Sequence, residues 1–210
     1  MDVTVPAPIS ALLERSRELG FLGPQPAAHQ AEHALGFWRA VESRPGSPRR
    51  ILDLGSGGGL PGLVLLPLFP EARVTLLDGS VKRCEFLAEA IEELGETSRA
   101  EVRCGRAEDL GHEEGLRGSF DLVVARSFGA PAVLAECAAP FLDSGGHLLV
   151  SEPPEGSLEE RWPTSGLALL GMGPAELIEA GSRFAWIPQG EACSERYPRR
   201  TGVPAKRPLF

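Results

Sequence analysis

With 210 residues, 42% of them hydrophobic and 24% charged, the chain has the composition of one soluble globular domain, long enough to cover a sheet on both faces. Every apolar stretch is far below membrane-spanning length, which argues against a membrane protein. A formal charge of −8 argues against a generic nucleic-acid coat and leaves room for an enzyme with a local basic patch.

The opening residues Met1-Asp2-Val3-Thr4-Val5-Pro6 lack the basic and apolar regions of a signal peptide, so a cytoplasmic location is expected. Cys84, Cys104, Cys137 and Cys193 have no metal or redox spacing; neither a metal nor a disulfide framework is expected. Residues 9–19 read as a short helix with Ser10 as cap. A second helix over 27–42 has Ala31, Leu35, Trp38 and Val41 on one stripe. His29 and His33 lie one turn apart on it. Without an accompanying acid-base motif they read as solvated or core histidines.

The next stretch, Ile51-Leu52-Asp53-Leu54-Gly55-Ser56-Gly57-Gly58-Gly59-Leu60-Pro61-Gly62, is an apolar strand, a glycine turn and the start of a helix over 63–69. Gly57-x-Gly59-x-x-Gly62 fits a dinucleotide fingerprint, whereas Asp53 with Gly55-x-Gly57-x-Gly59 fits the first motif of methyltransferases that use S-adenosylmethionine. The first register leaves Asp53 near a pyrophosphate, which a carboxylate opposes. The second sets Asp53 near an ammonium and a sulfonium. A strand over 72–77 ends at Asp78, the expected partner of ribose hydroxyls in either register.

Ser80 caps a helix through Leu94 whose buried face is Phe86, Leu87, Ala90, Ile91 and Leu94. The loop after the strand over 100–104 approaches an adenine in such folds, so Ala107 and Glu108 are candidates for the base edge. The strand over 120–126 ends at Arg126, on the sheet edge where ligands bind. A helix over 130–141, a turn at Ser144-Gly145-Gly146 and a strand over 147–151 complete a fifth β unit. Leu158 to Leu170 reads as irregular or briefly helical, and 175–179 with 183–188 as an antiparallel hairpin. The expected fold is α/β, a class I adenosylmethionine-dependent methyltransferase sheet, Rossmann-like, seven-stranded and mostly parallel with a C-terminal antiparallel hairpin. The expected division is a helical extension over 1–48, a catalytic domain over 49–190 and a basic tail over 191–210.

Asp53 to Gly62, Leu77-Asp78 with Lys82-Arg83 and Phe86-Leu87, Gly105-Arg106-Ala107-Glu108, and Asp121 to Ser127 together resemble one family, and the tail Arg196-Tyr197-Pro198-Arg199-Arg200-Thr201-Gly202-Val203-Pro204-Ala205-Lys206-Arg207-Pro208-Leu209 is its most distinctive part. This is the glucose-inhibited division protein B family, bacterial 16S ribosomal RNA guanine-N7 methyltransferases. The resemblance implies an adenosylmethionine cofactor held by Gly55, Leu60, Ala107, Glu108 and Arg126. It implies ribosomal RNA as partner, free or within a ribosomal subunit, without membrane or metal.

Two departures bear on the substrate. Ser151-Glu152-Pro153-Pro154 stands where the family has a Lys-Gly pair, and no counterpart of its Asn-Leu-Thr segment precedes Ile51. Guanine N7 needs no general base, and no catalytic residue is assigned. Arg199, Arg200 and Lys206 are the candidate phosphate contacts. The alternatives are a methyltransferase of a small metabolite or protein, with Glu152 as its one candidate base, and a non-catalytic adenosylmethionine-binding protein.

Overall fold

The computed structural model describes residues 3–210; Met1 and Asp2, which open the expected helical extension, lie outside the described residues. Seven strands form one sheet in the order β3-β2-β1-β4-β5-β7-β6. They are β1 (Arg50–Leu54), β2 (Arg73–Asp78), β3 (Ala100–Cys104), β4 (Phe120–Ala125), β5 (Leu142–Ser151), β6 (Glu176–Glu179) and β7 (Arg183–Pro188). Strands β1 to β5 pair in parallel, and β7 runs antiparallel to both β5 and β6. The chain winds outward from β1 through β2 to β3, then returns to place β4 on the other side of β1. The crevice at the carboxyl ends of β1 and β4 is therefore a topological switch point, where open α/β sheets bind ligands.

Side-chain alternation divides the core between the two faces of the sheet. Leu52, Leu54, Val123, Ala125 and Leu148 pack on one face with α6 (Pro131–Ala138) and α8 (Thr164–Ala168). Ile51, Val74, Leu76, Leu122 and Leu149 pack on the other with Phe37 and Val41 of α2 (Ala27–Glu42) and Phe86 and Leu87 of α4 (Val81–Glu93). Because α2 shares this core, the amino-terminal helices are part of the sheet's cover. No helix among the described residues is long and apolar enough to cross a membrane.

Three local expectations change. The helix α1 (Ala7–Glu18) has Pro6 in the cap position, and Ser10 Oγ, already inside the helix, donates back to the Pro6 carbonyl at 3.3 Å. The apolar run after the glycine turn is buried, but α3 spans only Gly62–Leu65. Pro70 has no N–H for the Leu66 carbonyl, and the Arg99 guanidinium takes that oxygen at 2.8 Å together with those of Phe69 and Ala72. Ser80 occupies the cap position of α4 without a side-chain cap; its own N–H is bound by Asp78 Oδ1 at 2.9 Å.

Candidate active site

The glycine turn hangs from the neighbouring strand. The N–H groups of Gly55 and Ser56 both donate to the Leu77 carbonyl, at 2.8 and 2.9 Å. Gly55 has φ of 76°, and a Cβ there would lie 2.6 Å from the ring of Phe128. Both the backbone conformation and the close approach require glycine.

Asp78, at the end of β2, buttresses this turn. Its Oδ2 accepts from Gly57 N at 2.8 Å and its Oδ1 from Ser80 N at 2.9 Å. Each oxygen keeps a lone pair, and the carboxylate borders a cavity of about 380 Å³ with Gly55, Ala107, Glu108, Phe128 and Val133. A second cavity of about 380 Å³ lies on the other side of Gly55, bordered by Gly57, Leu60, Arg126, Gln30 and Leu22. Two compartments thus meet at Gly55: one with apolar walls at Phe128 and Val133 and the acids Asp78 and Glu108, the other with Arg83 and Arg126. A further cavity of about 410 Å³, lined by Arg50, Arg73 and Arg99, lies at the opposite edge of the sheet and touches none of these residues.

Asp53 is placed differently from its expected contact with a cofactor. Side-chain alternation turns it away from the ligand side and beneath the turn, where it is fully buried and borders neither cavity. Its Oδ2 accepts from Gly62 N at 2.8 Å, while Oδ1 has no partner. Burial pushes its carboxyl up to about 7, against the lowering effect of the Gly62 N–H. It fastens α3 to the end of β1.

Glu152, the candidate base, is also locked away. Its side chain is 3% exposed and accepts from Arg161 Nε at 2.6 Å and Trp162 Nε1 at 2.9 Å, fixing the end of α7 (Leu158–Arg161). So paired and buried, it has no open path to an acceptor.

The basic tail folds back on the domain. Glu136, on α6 and fully buried, accepts from Arg199 N and Nε at 2.8 Å each and from Arg199 Nη2 at 2.6 Å. Arg199 Nη2 also donates to the Arg207 carbonyl at 2.7 Å, so the residue expected to meet phosphate is an anchor instead. A second attachment joins the tail to α5 (Ala107–Leu110): Gly202 N donates to Glu108 Oε1 at 3.1 Å and Thr201 Oγ1 to Asp109 at 2.7 Å. Arg200 and Lys206 remain exposed, with no side-chain hydrogen bond or ion pair among the described residues, and Ala205 between them borders the Asp78 cavity. His33 packs on Phe37, ring centroids 6.0 Å apart, and no group of metal-binding side chains occurs among the described residues.

The chain matches the rRNA small subunit methyltransferase G family over residues 29–155. It is 39% identical over 210 residues to the "Ribosomal RNA small subunit methyltransferase G" of Rubrobacter xylanophilus, covering 94% of this chain and 80% of that protein. It belongs to that family. It is accordingly an adenosylmethionine-dependent methyltransferase. The fold is shared with a putative O-methyltransferase from Klebsiella pneumoniae, at a TM-score of 0.61 and 16% identity, covering 90% of this chain and 92% of the other. It is shared also with the T. thermophilus 16S rRNA N2 G1207 methyltransferase solved with AdoMet and guanosine, at a TM-score of 0.53 and 21% identity, covering 77% of this chain and 39% of that one.

The family's cofactor is compatible with the residues present. The cradle at Gly55, the free lone pairs of Asp78 and the apolar walls at Phe128 and Val133 match a ribose and a purine; the Arg126 side offers a cation for a carboxylate. Sequence reasoning missed Phe128, in a loop with no motif, and Gln30, whose placement in the apolar stripe of α2 was the available signal.

Proposed function

We propose that this methyltransferase acts on N7 of a guanine in 16S ribosomal RNA, presented free or within a ribosomal subunit in the cytoplasm. The observation that carries the reading is the pair of compartments meeting at Gly55 without a carboxylate free to act as a base. Asp53 is beneath the turn, Asp78 is bonded to two backbone N–H groups, Glu108 to the tail, and Glu152 to Arg161 and Trp162. An acceptor that must first lose a proton is poorly served by such a site. Guanine N7 carries a free lone pair and needs none.

When bound, adenosylmethionine supplies an electrophilic methyl on sulfonium. The chain's part is positioning and desolvation. Asp78 and the 105–108 loop would hold the nucleoside end, Gly55, Gly57 and Leu60 would shape the path between the compartments, and Arg126 would hold the amino-acid carboxylate. The chain then works in three parts: the amino-terminal extension roofs the second compartment through Leu22, Gly23, Gln25 and Gln30, 49–190 carry the cofactor, and 191–210 meet RNA. Arg200 and Lys206 are the proposed phosphate contacts.

Charge reversal at Arg200 and Lys206 tests the tail. It should raise the RNA dissociation constant and reduce the slope of log affinity against log salt by roughly 0.7–0.9 for each phosphate no longer neutralised. Adenosylhomocysteine binding, measured by calorimetry, should stay unchanged. Unaltered RNA affinity and salt slope would remove the tail from the interface.

A further inference from the structure

Gln30 lies in the apolar stripe of α2 and is only 3% exposed, yet its amide is fully used. Nε2 donates to the carbonyls of Gly23 at 3.0 Å and Gln25 at 2.8 Å, and Oε1 accepts from Arg126 Nη2 at 2.9 Å. The main-chain oxygen of Gln30 takes Arg126 Nη1 at 3.5 Å. Both amide hydrogens are needed on one side and the oxygen on the other, so the amide has one workable orientation. One side chain thus ties together a helix, the turn over 23–25 and the arginine at the end of β4, all of which border the second compartment.

The chemistry of this partner matters as much as its position. Arg126 has no ion pair among the described residues, and its nearest hydrogen-bonding group is a neutral amide. A glutamate in place of Gln30 would satisfy two guanidinium N–H groups and neutralise the charge as well. The amide orients the guanidinium and leaves its charge for an anion entering the compartment. Burial lowers the Arg126 pKa and Asp53 opposes that lowering; the group remains a cation at any physiological pH.

We propose that Gln30 is a positioning residue, which aims Arg126 at the carboxylate of the cofactor's amino-acid end and keeps that arginine free of an ion pair until the carboxylate arrives. The inference rests on the reading that this cleft binds adenosylmethionine. It places the amino-acid end of the ligand under the 23–25 turn, and it makes Gln30 selective: it acts on ligands that carry the carboxylate and on no others.

Calorimetry with two ligands tests this. Adenosylhomocysteine carries the amino-acid group, whereas methylthioadenosine has the same nucleoside and thioether without it. Gln30→Met should weaken adenosylhomocysteine roughly tenfold, the scale of one hydrogen bond to a charged group, and leave methylthioadenosine unchanged. In an Arg126→Met background the same substitution should have no further effect, because the two residues act in series. Equal weakening of both ligands, including loss of both through misfolding, would reduce Gln30 to a structural support and overturn the proposal. So would a tenfold effect that persists without Arg126. Failure of the unaltered protein to bind either ligand is a different result, and it overturns the cofactor reading together with this inference.

Discussion

Arg199→Ala should lower the unfolding free energy by about 3–5 kcal/mol, the cost of leaving a buried charge without its partner. Glu136 is fully buried on α6, and the only cation paired with it among the described residues is Arg199, which binds both of its oxygens. Alanine removes the guanidinium and leaves the carboxylate in the core. Removing both charges together is a different experiment. Glu136→Leu with Arg199→Met should recover most of the loss, because well-packed apolar residues commonly replace a buried pair at little cost. Urea denaturation of the two proteins would check both outcomes. A loss below about 1 kcal/mol for Arg199→Ala would mean that the pair behaves as an exposed one, and Arg199 would again count among the cations open to RNA.

The second large effect is expected at Gly62. A Cβ there would meet Leu76 Cδ2, would lie 2.5 Å from Asp53 Oδ2 and 3.0 Å from Asp53 Cβ, all on strands packed beneath the turn. Gly62→Ala should therefore cost about 3 kcal/mol, through overpacking and through the loss of the Gly62 N–H to Asp53 bond. It should also shift the glycine turn and weaken adenosylhomocysteine. Gly57→Ala is the useful contrast. The nearest atom to its Cβ would be 3.8 Å away, so the cost is confined to a φ of 55°, about 1 kcal/mol. Thermal melts of both variants would compare them. Equal destabilisation would show that backbone conformation rather than the close approach decides the turn.

The frame of the molecule was readable because it is written in short-range patterns. The buried strands 51–54, 74–77 and 122–125 are apolar runs, the glycine turn follows one of them, and Ala180-Gly181-Ser182 marks the turn of the closing hairpin. The compartments followed from strand ends, since Asp78 and Arg126 occupy the carboxyl edge in any parallel sheet of this order. What was hidden depends on pairing between distant residues. In a basic tail Arg199 reads as one more cation for phosphate, because its partner Glu136 lies 63 positions away in sequence. Glu152 looked like a base because Arg161 and Trp162 are neutral in their effect until the chain bends back to it. Asp53, expected beside the cofactor's cationic groups from the register of the glycine motif, is instead buried beneath the turn, bonded to Gly62 N.

The most direct measurement is transfer of an isotopically labelled methyl group from adenosylmethionine to small ribosomal subunits lacking the modification, with the 16S RNA digested to nucleosides and analysed by mass spectrometry. The expected product is labelled 7-methylguanosine, formed by the unaltered protein and strongly reduced by Arg126→Met. Labelled methyl found on another nucleoside, or absent from RNA while a small metabolite or protein takes it up, would contradict the assignment of guanine N7.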